Sequence, residues 1–232
     1  MISPVESKAL IEKFASSDLA HPNHAGYDRM MDGNYAWIFN QIPFVSPERK
    51  IKAWDIGCAY GTTAAYLAAW GYITTASDIV DTYVNIPMLK HFGVEFKLDN
   101  IETGLAPSVD YDVIVFTEVL EHLNQNPRSA LLNISRALKH GGRLVLTTPR
   151  AEMAYHPLGL YQDTAYGDIQ PIANYDHWQS IPAEPLTAQW LDAHVYLYTE
   201  SEIIELLEAT NFRILKSEVC NQISHGVVAY KP

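Results

Sequence analysis

Glu118-Val-Leu-Glu121-His122 brings two carboxylates and an imidazole into five consecutive residues. On a helix, positions i, i+3 and i+4 share a face, so the spacing predicts that Glu118, Glu121 and His122 converge on one point. Such a set suits two kinds of chemistry. It can take a proton as a general base, or hold a divalent ion that lowers the pKa of a bound hydroxyl. Carboxylate oxygens favour Mg²⁺ or Mn²⁺, and imidazoles tolerate Zn²⁺. A second cluster lies earlier, where the apolar run from Ile51 ends in Asp55-Ile-Gly57-Cys-Ala-Tyr-Gly61 and a helix starts near Thr62. An acid, a tight glycine turn and a helix suit a nucleotide-like cofactor laid over the carboxyl end of a strand. Gly57 and Gly61 allow a positive φ and close approach of a ligand to the backbone. The spacing is Gly-x-x-x-Gly; a dinucleotide fingerprint has G-x-G-x-x-G. A nicotinamide-dependent oxidoreductase is disfavoured on that ground.

The elements that must carry these clusters follow in order. Tyr72–Asp78 reads as a second strand ending in an acid about twenty residues after the turn, the place where such folds hold a ribose. Val94–Asp99, with Asn100 next, reads as a third strand. Tyr111–Glu118 is a continuous apolar run closed by Thr117 and Glu118, as expected of a strand buried on both faces. Asn126-Pro127 starts a helix that runs to about His140, and Gly141-Gly142 turns it into a fifth strand ending at Pro149. Thr199-Glu-Ser-Glu202 is a capping box ahead of Ile203, Ile204, Leu206 and Leu207. Phe212–Val219 and Ile223–Tyr230 read as closing strands. Upstream, Pro4–Asp18 and Asp28–Gln41 have helical spacing, and Pro43 and Pro47 separate them from the first strand.

These landmarks, taken together, resemble the class I S-adenosylmethionine (SAM) methyltransferases, from about Ile51 to Pro232. Ala59 stands where many members of that family have glycine. The resemblance implies an α/β, Rossmann-like, doubly wound seven-strand sheet whose last strand is antiparallel. It also implies SAM as cofactor, with the glycine turn beneath its amino-acid end and Asp55 organising the turn and the methionine ammonium. Asp78 would receive the ribose and Asp99 the adenine amino group. Gly57, Cys58, Ala59, Gly61, Ile79, Asn100 and Thr117 complete the expected cofactor contacts. The Glu118/Glu121/His122 motif resembles the metal site of ubiquinone-pathway O-methyltransferases and of small-RNA 2′-O-methyltransferases. In the latter a further histidine precedes the last long helix, and His194 occupies that place here. Two readings stand side by side: a metal held by Glu118, Glu121, His122 and His194, or His194 or His122 as a metal-free base with Glu118 beside it.

Composition narrows the partners. The chain has 232 residues, room for one α/β domain with additions. A formal net charge of −11 argues against nucleic acid as the main partner. No apolar run approaches the roughly 20 residues of a membrane helix, and the N-terminus lacks a signal-peptide core. Cys58 and Cys220 read as free thiols. A cytoplasmic protein acting on a small molecule or sugar is the expectation. We divide the chain into a helical cover over 1–50 and a methyltransferase domain over 51–232, with a cap insertion over 150–193. That insertion carries Tyr155, Tyr161, Tyr166, Tyr175, Trp178 and Trp190, whose faces suit an acceptor ring or sugar, or the arm of a homodimer. Asp176 and His177 are further acceptor contacts to consider. His21, His24 and His156 read as surface or hydrogen-bonded residues, and Tyr60 as either a cofactor neighbour or a helix start. Alternatives to O-methylation are N-methylation of an amine or amino sugar, and a SAM-binding partner protein without catalysis.

Overall fold

The computed structural model describes residues 4–42, 45, 48–104, 110–154, 175–185 and 194–232. Two helices, α1 (Pro4–Ala15) and α2 (His24–Gln41), precede an alternation of β1 (Lys52–Ile56), α3 (Thr62–Ala69), β2 (Ile73–Asp78), α4 (Ile86–Phe92), β3 (Glu95–Leu98) and β4 (Tyr111–Thr117). After a 3-10 turn at Leu120–His122 come α5 (Arg128–Ala137), β5 (Leu138–Pro149), α6 (Ala151–Ala154), α7 (Glu200–Glu208), β6 (Arg213–Cys220) and β7 (Ser224–Tyr230). The strands form one sheet in the order β3-β2-β1-β4-β5-β7-β6. β7 runs antiparallel to both β5 and β6, and the other pairings are parallel. The sheet is the one expected. Strand order reverses between β1 and β4, and the crevice outside their carboxyl ends is where open α/β sheets bind ligands.

Alternation along each strand divides the core in two. Ile114, Phe116, Leu144 and Leu146 pack with Leu131 and Ile134 of α5 and with Ile203, Leu206 and Leu207 of α7. Val113, Val115 and Val145 face the other way, onto Met31, Tyr35 and Ile38 of α2. β4 is therefore buried on both faces from Val113 to Phe116, which explains the apolar run there. Ala64 and Ala65 of α3 are fully buried, so that short helix lies close to the strands.

Element boundaries shift from expectation at three places. α1 stops at Ala15, and α2 begins one turn early, at His24. α5 ends at Ala137 because Leu138 pairs with Tyr111, its carbonyl accepts from Lys231 Nζ (2.7 Å), and Lys139 Nζ reaches Asp112 (2.7 Å). The Thr199 capping box forms as expected, with both of its reciprocal bonds. Of the insertion, Tyr155, His156, Tyr161, Tyr166 and Trp190 lie outside the described residues. Trp178 is only 3% exposed and belongs to the α5/α7 core; it anchors the returning segment and offers no open face to an acceptor. Among the described residues, no helix is long and apolar enough to cross a membrane.

Candidate active site

β1 delivers Asp55 to the crevice, 1% exposed. The Ala64 N–H, in the first turn of α3, donates to its carboxyl, while Oδ2 is buried without a hydrogen-bond partner among the described residues. Burial, and then the charge of Asp78, push the Asp55 carboxyl up to about 7 against the relief from Ala64. An orphaned buried carboxylate oxygen beside a glycine turn fits a cationic group such as the methionine ammonium. The turn itself hangs from β2: the Gly57 and Cys58 N–H groups both donate to the Ser77 carbonyl (2.8 and 3.0 Å). Asp78 accepts the Ala59 N–H at Oδ2 (2.8 Å) and the Val80 N–H at Oδ1 (3.2 Å). Asp78 thus organises the turn, a task the resemblance assigned to Asp55. Ala59 has φ 46°, a conformation that suits the glycine many relatives have there.

Gly57 has the positive φ its motif suggests and is needed for a second reason as well. With φ 69°, a Cβ there would lie 2.3 Å from Val119 Cγ2. The space beneath the turn is taken by the side chain of Val119, so Gly57 is where the glycine turn and the Glu118–His122 segment interlock. Cys58 is buried, and burial with the charges of Asp55 and Asp78 raises its thiol well above the ordinary range, so a nucleophilic role is not supported. The Asp99 N–H donates to the Asp78 carbonyl (2.9 Å), which brings the second and third acids to one edge. Asn100 Oδ1 accepts the Glu102 N–H (2.9 Å) and so shapes its own turn. Ile79 stays 43% exposed at the end of β2, an apolar surface of the kind an adenine ring covers. Thr117 closes β4 opposite Thr147.

The Glu118–His122 motif is not a turn of α-helix. Glu118 has φ 52°, and the 3-10 turn starts only at Leu120. The left-handed step separates the two carboxylates. Glu118 is turned toward the hydroxyls of Thr147 and Ser224, which approach its carboxyl without completing well-formed hydrogen bonds; Oε1 and both hydroxyls are buried and unpartnered. Glu121 accepts from Thr148 Oγ1 at Oε2 (2.9 Å). Thr147 and Thr148 are consecutive strand residues and point to opposite faces, so the pair of glutamates straddles the sheet. Backbone pairing then completes the second face: the Val195 N–H donates to the Glu121 carbonyl (2.7 Å), which sets His194 beside it. The His122 and His194 rings meet edge to face at 4.8 Å, and His122 Nε2 lies 3.7 Å from Glu121 Oε1. Ligand atoms of Glu121, His122 and His194 all lie within 4.8 Å of one another, and Glu118 is outside this group.

Burial pushes Glu118 and Glu121 up to about 8, with Glu118 raised further by its neighbour. From the cover, Tyr27 reaches the same region: burial and then the charges of Glu118 and Glu121 raise its phenol. Its ring lies 5.1 Å from that of Tyr60 in the glycine turn. This proximity to the site was not anticipated from the sequence, because Tyr27 falls just before the Asp28–Gln41 run read as a helix, whereas α2 begins at His24. His177 lies 3.3 Å from Glu205 of α7.

These titrations have a consequence for stability. Carboxyls whose folded pKa exceeds the unfolded value favour the fold fully below the unfolded value, and that contribution is lost as pH rises through the folded one. The window for Asp55, Glu118 and Glu121 runs from about 4 to about 8. The melting temperature is expected to fall between pH 5 and 9, and Glu118→Gln to flatten the fall. A pH series of calorimetric melts in which the variant and wild type lose stability in parallel would count against the buried carboxyl.

A family model described as a methyltransferase domain matches residues 27–217. A ubiquinone biosynthesis O-methyltransferase of Rickettsia typhi is 27% identical over 182 residues, 74% of this chain and 65% of that protein. The chain thus spans slightly less than two thirds of that relative. Among solved structures, the magnesium protoporphyrin IX methyltransferase of Synechocystis PCC 6803 with bound SAH superposes with a TM-score of 0.60 at 15% identity, over 97% of this chain and 95% of that one. The 1,6-didemethyltoxoflavin-N1-methyltransferase of Burkholderia thailandensis, with its substrate and S-adenosylhomocysteine bound, gives 0.59 at 21% identity, over 100% and 91%. With the sheet order and the glycine turn described above, the match over most of its length establishes that the chain belongs to the methyltransferase-domain family, and its fold is the Rossmann-like methyltransferase fold.

Proposed function

We propose that the protein methylates an oxygen of a small molecule or sugar, using SAM and the Glu121, His122, His194 group. The observation that carries this reading is the convergence of those three side chains at the carboxyl edge of β4, where Glu121 lies two residues beyond the Val119 that abuts the glycine turn. The name of the Rickettsia relative, an O-methyltransferase, supports oxygen as the acceptor atom. SAM, when bound, supplies a methyl group on a sulfonium sulfur. The protein's part is alignment, worth about 7–11 kcal/mol, and removal of the acceptor proton. The proton of the acceptor hydroxyl would pass to an imidazole nitrogen of His194 or His122. Glu121 beside them stabilises the resulting imidazolium, and Thr148 holds Glu121 in place.

One carboxylate and two imidazoles also fit a divalent ion. Glu121, His122 and His194 would hold it, and it would supply Lewis acidity that lowers the pKa of the acceptor hydroxyl. Ligand atoms up to 4.8 Å apart would draw together to meet bonds of about 2.0–2.2 Å. Glu118, on the other face, would line the acceptor site as a polar wall.

The test is calorimetric titration of chelator-treated protein with S-adenosylhomocysteine, then with Mg²⁺, Mn²⁺ or Zn²⁺. Micromolar binding of the homocysteine product is expected, and its absence would remove the reading. Metal binding that Glu121→Ala abolishes selects the ion and points to diol or catechol acceptors. Cofactor binding without metal binding selects the histidine base.

A further inference from the structure

We infer that His24 is a positioning residue for the cofactor turn, so that the N-terminal helices are a working part of the SAM site; the inference rests on the cofactor reading above. His24 is fully buried and touches both residues that flank Gly61. Its ring stacks on Tyr60, with centroids 4.7 Å apart and planes 11° from parallel. Its Nε2 lies 2.9 Å from Thr62 Oγ1.

The partners fix the proton on the ring. Thr62 Oγ1 donates its hydrogen to Asp28 Oδ1 (2.8 Å), so toward His24 it accepts, and Nε2 carries the hydrogen. Nδ1 must then accept, and Asn85 Nδ2 stands 3.3 Å away to donate. The orientation of Asn85 is set independently, because its Oδ1 accepts the Met88 N–H (3.1 Å) and Nδ2 also donates to the Phe14 carbonyl (3.2 Å). The relay therefore runs in one sense, from the start of α4, through neutral His24, to the first residue of α3. Burial depresses the His24 pKa to about 4, which keeps the ring neutral.

The same elements close on the turn from another side. The Asn85 N–H donates to the Tyr60 carbonyl (3.1 Å). Tyr60 itself is 5% exposed and is enclosed by His21, Tyr27 and Tyr83 as well as His24, at ring distances of 5.6, 5.1 and 6.0 Å for the first three. The first half of the turn hangs from Ser77 in the sheet. The second half, Tyr60–Gly61–Thr62, is braced by the cover and the α4 cap. A brace on the second half acts on the amino-acid end of the cofactor, which this turn supports, and leaves the adenosine end to Asp78 and Asp99.

The experiment compares S-adenosylhomocysteine with 5′-methylthioadenosine, which lacks the amino-acid moiety, by calorimetry on wild type, His24→Ala and Thr62→Val. Loss of one stacked pair and one buried hydrogen bond is expected to raise the Kd for S-adenosylhomocysteine roughly tenfold. The Kd for 5′-methylthioadenosine should stay within about twofold, because the change acts on the turn alone. His24→Gln, which keeps a donor toward Thr62 and loses the stack, should fall between, and it serves if His24→Ala does not fold. Equal weakening of both ligands, or no weakening of either in folded variants, would overturn the inference. Failure of the wild type to bind S-adenosylhomocysteine would instead overturn the cofactor reading beneath it.

Discussion

Gly57→Ala is expected to cost about 3–5 kcal/mol of stability and to abolish cofactor binding in whatever folds. Two costs combine. A φ of 69° disfavours an L side chain by about 1–2 kcal/mol. The larger cost is steric, since the new Cβ would lie 2.3, 3.1 and 3.3 Å from Val119 Cγ2, Cγ1 and Cβ. The whole valine must move, and it leads directly into the turn that carries Glu121 and His122. Thermal melts and S-adenosylhomocysteine titration measure both effects. Val119→Ala should rescue part of the loss when combined with Gly57→Ala. Gly93→Ala is the control: φ is 72°, but no atom lies within 4 Å of its Cβ position, so only the conformational cost applies. Equal losses at positions 57 and 93 would refute the steric account.

Glu121→Gln is expected to lower turnover by about 10²–10⁴ while leaving the affinity for S-adenosylhomocysteine within about threefold. The amide preserves an acceptor for Thr148 Oγ1 and nearly the same volume, but removes the carboxyl that, once ionised, stabilises an imidazolium or binds an ion. Because the native carboxyl is buried and pushed up to about 8, the variant should also melt higher than wild type above pH 8. Methyl transfer to a panel of catechols and sugars, read against cofactor affinity, separates the two effects. Turnover within about threefold of wild type would remove Glu121 from the reaction.

The sequence displayed those features whose causes are local. The run Val113–Phe116 is apolar because both faces of β4 are covered there, and Thr199 and Glu202 satisfy each other within one turn. The glutamate pair was harder. Helical spacing would place Glu118 with Glu121, but Val119 docks on Gly57, sixty-two residues earlier, and the backbone passes through a left-handed step at Glu118 to allow it. No local pattern reports that contact. His24 shows the same limit. Its Pro- and Asn-flanked setting left open a surface or a hydrogen-bonded residue, and the partners that decide for the second, Thr62 and Asn85, are 38 and 61 residues away. Asp78 was read for its place at a strand end, yet its oxygens are directed at backbone amides of Ala59 and Val80. Residue type and spacing located the acids at the crevice; the division of labour among them depended on tertiary contacts.

The position of β7 between β5 and β6 sets an order of events during synthesis. β5 emerges from the ribosome with its far edge open, and the strand that pairs with it begins only at Ser224. At roughly 5–20 residues per second, that edge waits several seconds for its partner. The waiting strand contains Leu144, Val145 and Leu146, all fully buried at the end, and an unpaired apolar edge is a template for aggregation. α2 waits as well, since Trp37 rests on Gly226 and donates to Glu218 Oε1 (2.6 Å). α2 thus docks on a strand made long after it, and nascent chains stalled before residue 224 are expected to hold both surfaces open.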